Sequence, residues 1–232
     1  MKFTKMVVML LLIASVSFAQ HKEEKKFQLK TFEDSVSYCI GQNIGKNLKD
    51  PNMSINFNAL SEGMKDLLNG TSLLRDDEIQ EVLTAFNQKM TAKRTEMMNE
   101  MKTKNLKAAN EFLEENKKKE GVVTLPDGLQ YKVLKSGNGS IPKDTNTVKV
   151  HYKGTLIDGQ EFDSSYKRGE PAEFKLNQVI KGWTEALQLM HVGDKWELYI
   201  PPSLGYGENG AGQMIQPNSA LIFEVELLDI VK

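Results

Sequence analysis

One cysteine, Cys39, is all the thiol that the 232 residues carry, so no disulfide can close within the chain. An odd cysteine in an oxidising compartment is either buried or an intermolecular link; free cysteine packs as a small hydrophobe, and burial of Cys39 in a helix is the expectation. Histidine is almost as scarce. Neither His151 nor His191 has a second histidine or a cysteine at ligand spacing, which leaves nothing to hold zinc. There is no excess of charge of either sign, since 30 lysines and arginines face 31 aspartates and glutamates. Nucleic acid demands clustered positive charge, so it is excluded as a partner. No apolar run reaches the roughly 20 residues that cross a bilayer as a helix. Between residues 71 and 120 there is neither glycine nor proline, which removes the usual helix breakers from that stretch.

What is present begins with a leader. Lys2 and Lys5 precede an apolar run over residues 6–13, followed by Ser15, Ser17 and Ala19. That is the pattern of a secretory signal peptide over residues 1–19, cleaved to leave Gln20, with no cysteine at the junction to carry a lipid. Its removal leaves 28 basic and 31 acidic side chains, and an exported chain with no membrane span.

From Thr31 the periodicity is helical. Val36, Ile40, Ile44 and Leu48 recur every four residues, and Gly41 and Gly45 among them suit the close approach of a second helix. Asp50-Pro51-Asn52 breaks the segment, and a second helix is expected from an Asn56 cap to Asn69-Gly70. Residues 20–75 thus form an all-α region. The stretch 76–120 predicts a long connecting helix of about 40 residues, about 60 Å at 1.5 Å per residue. Asp76 and Asp77 fit its first turn, Lys117-Lys118-Lys119 its last and Gly121 its stop. Met90, Met97, Met98 and Met101 suit either a partner helix or a deformable surface for varied unfolded chains.

After Pro126-Asp127-Gly128 the period changes to alternation. Leu129, Tyr131 and Val133 make one set; Val148, Val150 and Tyr152 a second; Trp196, Leu198 and Ile200 a third; Leu221, Phe223, Val225 and Leu227 the last. Asp158-Gly159 is a hairpin turn, and one short helix runs from about Ile180 to Met190. The class predicted for residues 121–232 is α+β, an antiparallel sheet wrapped on one helix.

This second half carries a set of aromatic signposts: Val150-His151-Tyr152, Phe162-Asp163-Ser164-Ser165, Val179-Ile180-Lys181-Gly182-Trp183, Leu204-Gly205-Tyr206-Gly207 and Ile222-Phe223-Glu224-Val225. In kind, order and spacing the set resembles the FKBP-type peptidyl-prolyl cis-trans isomerases, over residues 129–231. Ser37-Tyr38-Cys39-Ile40-Gly41-Gln42-Asn43-Ile44-Gly45 and the stretch 108–119 look like the helical half of the macrophage infectivity potentiator proteins, a dimeric, exported branch of that family.

The resemblance implies a rotamase that needs no cofactor. Its catalytic set comprises Tyr152, Phe162, Asp163, Trp183, Tyr206 and Phe223, with Trp183 beneath the proline ring and the Tyr206 hydroxyl reaching a substrate carbonyl. Val179 and Ile180 line one side, the Ile180 N–H donating to the bound peptide, and Met214 and Ile215 form the opposite lip. Arg168 and Tyr152 hold Asp163. The partners implied are unfolded or nascent exported proteins containing proline, a second copy through the N-terminal helices, and macrolide inhibitors. The compartment implied is the periplasm of a Gram-negative bacterium, with the outer surface and secretion left open. Two departures widen the rim: Ala172 follows Pro171 where an aromatic residue is common, and Ala211 stands where a bulkier residue is frequent.

Two other classes fit the same halves, a holdase that only binds peptides and a surface interaction protein. The complete aromatic set favours the enzyme. Gly205-Tyr206-Gly207-Glu208-Asn209-Gly210 matches the dinucleotide fingerprint in letters alone, because Pro201-Pro202 precedes it and a Gly-Gln-Pro loop is expected after it, not a helix.

Overall fold

The computed structural model describes residues 27–49 and 53–231. The expected leader and the Asp50-Pro51-Asn52 break lie outside them. The chain forms two compact units, one ending at Leu73 and the other beginning at Leu74.

The first unit holds α1 (Phe32–Asn47) and α2 (Phe57–Asn69). Thr31 starts α1 with a reciprocal cap: its Oγ1 accepts from Asp34 N at 3.0 Å while the Asp34 carboxylate accepts from Thr31 N at 3.1 Å. Asn56 caps α2 by accepting from Asn58 N and Ala59 N, at 3.0 and 3.2 Å, and Gly70 ends it. Neither helix buries a residue. The expectation of a buried Cys39 is therefore corrected: it sits on α1 and is exposed, and the described residues bury no side chain of that helix. A Cβ added to Gly41 or Gly45 meets nothing within 4 Å, so among the described residues no helix makes the close approach either.

The second unit opens with α3 (Asp76–Asn116), which continues without a kink-inducing residue for 41 residues. It stops a turn earlier than its lysines suggest. Lys117-Lys118-Lys119 lie beyond the last turn, in the turns that lead through Gly121 to the sheet. The physical reason is at Asn116, which is fully buried and donates through Nδ2 to Gln130 Oε1 at 3.0 Å. Gln130 Nε2 in turn donates to the Leu113 carbonyl at 2.9 Å. Ala109 and Leu113 are buried on the same face. The end of α3 is thus part of the folded core of this unit, and among the described residues no helix is long and apolar enough to cross a membrane.

The sheet has seven strands, β1 (Val122–Thr124), β2 (Gln130–Lys135), β3 (Thr147–Leu156), β4 (Glu161–Ser164), β5 (Ala172–Lys175), β6 (Lys195–Ile200) and β7 (Leu221–Val231). Their order is β1-β2-β6-β7-β3-β4, with β5 also on β3, and every pairing is antiparallel. Two helices are inserted, α4 (Ser165–Arg168) and α5 (Lys181–Leu187). Alternation places Val148, Val150 and Tyr152 of β3 and Leu221, Phe223, Val225 and Leu227 of β7 inward, where Trp183, Ala186 and Leu187 of α5 meet them. The α+β class is as the sequence pattern predicts. The β2 set departs from it, since Leu129 is buried, Tyr131 only half-buried and Val133 exposed. Tyr131 instead stacks on the buried Trp196, centroids 4.3 Å apart. β5 and α4 were not foreshadowed by any period, each being only four residues long.

Gln130→Ala takes from the buried Asn116 amide the acceptor it donates to, while the Leu113 carbonyl keeps the Lys117 N–H at 3.0 Å. A buried group left without a partner costs about 1–3 kcal/mol. The denaturation midpoint, followed by the fluorescence of Trp183 and Trp196, should fall accordingly; an unchanged midpoint would mean that the end of α3 is not held to the sheet in solution.

Candidate active site

A cavity of about 620 Å³ opens over α5, and most of the expected site residues meet in it. β3 supplies Tyr152, β4 Phe162 and Asp163, α5 Trp183 and β7 Phe223; Val179, Ile180, Tyr206 and Ile215 complete the wall. Four further residues line it that no sequence pattern singled out for it or that were read only as departures: Phe174 of β5, Gln178, Gly212 and Ala211. Phe174 was discoverable in principle, as the apolar position two after Ala172 on the same strand face.

The rings are packed around Trp183. Tyr152, Phe174 and Phe223 approach it with centroids at 5.2, 5.6 and 5.2 Å and interplanar angles of 88°, 89° and 76°. Phe162 meets Phe223 in the same way, at 5.4 Å and 84°. Edge-to-face contact sets the positive edge of one ring on the negative face of the next, so each ring restricts its neighbour's rotation. The Trp183 indole N–H is buried with no protein partner. Gly154 makes the close packing possible. It pairs with Phe223 across β7 and with Asp163 across β4, and a Cβ there would lie 2.6 Å from the Phe162 ring and 2.8 Å from that of Phe223.

Asp163 is the one acid in the wall, and it is not free. The Tyr152 hydroxyl donates to its Oδ2, Arg168 Nη1 lies 2.5 Å from its Oδ1, and the Ser164 N–H donates to Oδ1 at 2.8 Å. Arg168 Nη2 also donates to the Tyr152 oxygen at 2.8 Å. Burial pushes the Asp163 carboxyl up, but the hydrogen bonds from Tyr152 and Arg168 outweigh it, and the group sits below the usual carboxylate range. Burial and then the Asp163 hydrogen bond raise the Tyr152 phenol. Arg168 itself stays outside the cavity lining and acts only through these bonds. Beneath them Ser165, fully buried, accepts from Tyr152 N at 2.8 Å and donates to Tyr152 O at 3.2 Å. His151, on the other face of β3, stacks on Tyr166 at 4.6 Å.

The far lip is the segment after Tyr206. Its Gly-rich stretch opens into short 3-10 turns and a loop, with no long helix to receive a phosphate. Ala211 and Ile215 exchange backbone hydrogen bonds of 2.8 and 3.1 Å across it. At Gly210, φ +64, a Cβ would lie 2.2 Å from the Ile215 carbonyl, so only glycine fits there. Ile215 is buried against the cavity, whereas Met214, in the turn just before it, is exposed and is not part of the cavity wall. Among the described residues no three His, Cys, Asp or Glu side chains cluster to hold a metal ion.

Comparison with known proteins agrees in both halves. Residues 139–228 match the model of the FKBP-type peptidyl-prolyl cis-trans isomerases, and residues 33–133 that of the domain amino-terminal to them. The "FKBP-type 22 kDa peptidyl-prolyl cis-trans isomerase" of Escherichia coli is 46% identical over 203 residues, 87% of this chain and 97% of that protein. The "Outer membrane protein MIP" of Legionella longbeachae is 44% identical over 205 residues, 88% of each. The crystal structure of FkpA from Escherichia coli superposes with a TM-score of 0.72 at 40% identity, covering 88% of this chain and 98% of that one.

An acid pair lies next to the cavity floor in sequence, formed by Glu185, two residues after Trp183 on α5, and Asp127. A hydrogen bond with Asp127, burial and the Asp127 charge push the Glu185 carboxyl up to about 7, and the same hydrogen bond lowers Asp127. An unfolded glutamate titrates near ~4.3. Between that value and about 7 the folded protein therefore holds a proton that the unfolded chain has released, so stability falls as pH rises through the window. The thermal midpoint should drop between pH 5 and pH 8, and Glu185→Gln, with no proton to lose, should drop less. Parallel curves for the two proteins would remove the shared proton.

Proposed function

Because the chain belongs to the FKBP-type peptidyl-prolyl cis-trans isomerases, and rotation about an X-Pro bond is its reaction, we propose that the aromatic cavity over Trp183 is where that rotation occurs, on exported client proteins. The reading rests on one observation above the others: six rings and one tethered acid line a single cavity, with no free general base among them.

The barrier is that of amide resonance, about 18–20 kcal/mol. Uncatalysed exchange takes roughly tens to hundreds of seconds. Twisting the bond dissolves the charge separation of the planar amide, so the transition state is less polar than either ground state. Trp183 offers a flat apolar floor to the proline ring, and Tyr152, Phe162, Phe174 and Phe223 exclude water around it. Val179 and Ile180 form one wall, with the Ile180 N–H donating to the peptide; Ile215 and Ala211 form the other. The Tyr206 hydroxyl, at the exposed rim, orients a substrate carbonyl. Asp163, tied to Arg168 and Tyr152, presents a fixed dipole beside the reacting amide. Binding that grips the twisted form better than either planar one lowers the barrier. No proton moves.

The rest of the organisation is proposed on the same footing. Residues 1–19 direct export and are removed, which the name of the Legionella relative supports. Export places the enzyme in the periplasm of a Gram-negative cell or on its surface. Residues 20–75 join two copies, residues 76–120 connect, and residues 121–232 catalyse. Dimerisation is supported by the apolar side chains that α1 and α2 leave open: Phe32, Phe57, Leu67 and Leu68 are each 70–86% exposed. A single soluble chain rarely leaves so much uncovered. Two linked pockets would hold an unfolded chain at more than one point, which raises avidity by roughly 10²–10⁴-fold. This is the basis for a chaperone role beside the isomerase one. The macrolide site is the same cavity.

A protease-free assay of cis/trans exchange on a proline peptide tests the reaction. Asp163→Ala should lower kcat/KM by about tenfold, ~1.4 kcal/mol of transition-state stabilisation, with little change in thermal midpoint. Undiminished turnover removes Asp163 from the site. Phe223→Ala, which empties the centre of the ring cluster, should instead cost about 3–5 kcal/mol of stability together with activity.

The mature chain should be a dimer by light scattering, and removal of the unit ending at Leu73 should leave a monomer that still isomerises short peptides but suppresses aggregation poorly. Equal protection of an unfolding client by both forms, at equal site concentration, would reduce the N-terminal unit to a spacer.

A further inference from the structure

Helix α3 reaches the active-site lip from outside the sheet. Asn105 Nδ2 donates to the Pro217 carbonyl at 2.8 Å. The Lys102 carbonyl accepts from Asn218 Nδ2 at 3.2 Å. Both bonds land on the stem of the loop that runs from Gly207 to Asn218. That loop is closed at its neck, where Asn218 N donates to the Gly207 carbonyl at 2.8 Å. Its free end carries Ala211, Gly212 and Ile215, three residues of the cavity wall.

Asn218 is unusual in itself. Among the described residues it is the single non-glycine with positive φ, at 56°, and it is only 8% exposed. Asparagine tolerates this region better than most residues, yet such a conformation persists where the surroundings over-determine it. Here the neck bond fixes its backbone and α3 fixes its side chain. A third contact, Lys102 Nζ to Glu208 Oε2 at 3.0 Å, joins the same two elements, but Glu208 is 74% exposed. Ion pairs of that kind contribute little. The two amide bonds are the ones in a position to hold the stem.

We infer that Asn105 and Asn218 are positioning residues of the isomerase: through them α3 fixes the lip that carries Ala211 and Ile215 against the wall of Val179 and Ile180. This rests on the reading of the cavity as the isomerase pocket. Without the brace, the lip is tethered through its chain ends, its neck bond and the exposed Lys102–Glu208 pair, and it samples positions that leave the cavity open. Only the closed fraction binds productively, and apparent affinity falls by that fraction. Substrate that does bind closes the lip on itself, so the chemical step is spared. The signature is therefore a rise in KM at nearly constant kcat, which a loss of overall fold does not produce.

The test uses the mature full-length chain and a short proline peptide in the protease-free assay. Asn105→Ala and Asn218→Gly, the second of which keeps the left-handed backbone, should each raise KM about 3–10-fold with kcat within about twofold. Because both hold one stem, the double variant should show less than the product of the two effects. Asn105→Gln, which keeps the amide donor, should recover part of the loss, and Glu208→Gln should match the wild type. Amide hydrogen exchange at Ala211 and Ile215 gives a readout that needs no activity: it should speed up in Asn105→Ala and Asn218→Gly. Unchanged exchange at both amides, or kcat and thermal midpoint falling together with KM constant, overturns the brace. Faster exchange in a protein that isomerises no proline peptide would uphold the brace and overturn the reading of the cavity instead.

Discussion

Everything in the catalytic unit answers to the edge-to-face packing of four rings on and around Trp183. The rings come from four different strands, β3, β4, β5 and β7, and the floor from α5, so the cavity exists only when all five elements are in register. The long pairing of β3 with β7 sets the main coordinate: it puts Tyr152 opposite Val225 and Gly154 opposite Phe223. A slip of one residue would turn every side chain of β3 to the other face. The absence of a side chain at Gly154 is as much a part of the cavity as the rings that fill the space it leaves.

Rigidity of this kind suits the reaction. The substrate offers no group to protonate and no bond to break, only a torsion, and the enzyme's means are shape and dryness. The single acid in the wall is neutralised on the spot by Arg168 and Tyr152. Ser165 then pins the backbone of Tyr152 from below. Asp163 is thus held by groups that are themselves held, which suits the fixed field proposed for it.

Much of this was legible in the chain, for reasons that differ by element. Strong alternation in β3, β6 and β7 and clear caps at Thr31 and Asn56 are local signals, and they place most of the sheet and the first two helices. The cavity was legible through the family resemblance and not through periodicity, since an aromatic in a wall and one in a core look alike in sequence. Phe174 was missed because β5 is too short to show a period, and Ser165 because a serine that braces a neighbouring strand leaves no local mark. Cys39 was expected to be buried from residue type alone, but burial needs a covering partner, and α1 has none among the described residues. The end of α3 was placed a turn late for a similar reason. Favourable charge at Lys117-Lys118-Lys119 lost to a long-range demand, the pairing of Asn116 with Gln130.

The lip loop keeps its outline in the main chain. Its neck bond, its internal bridge and the left-handed turns at Gly210 and Asn218 are all backbone features. The side chains of Ala211 and Met214 take no part in them. Form and chemistry are therefore written in separate places on this loop. A lineage can exchange the side chains the loop carries, enlarging Ala211 at the cavity wall or altering the exposed Met214, without disturbing the frame that carries them. New client ranges are then reached by steps that cost the fold almost nothing.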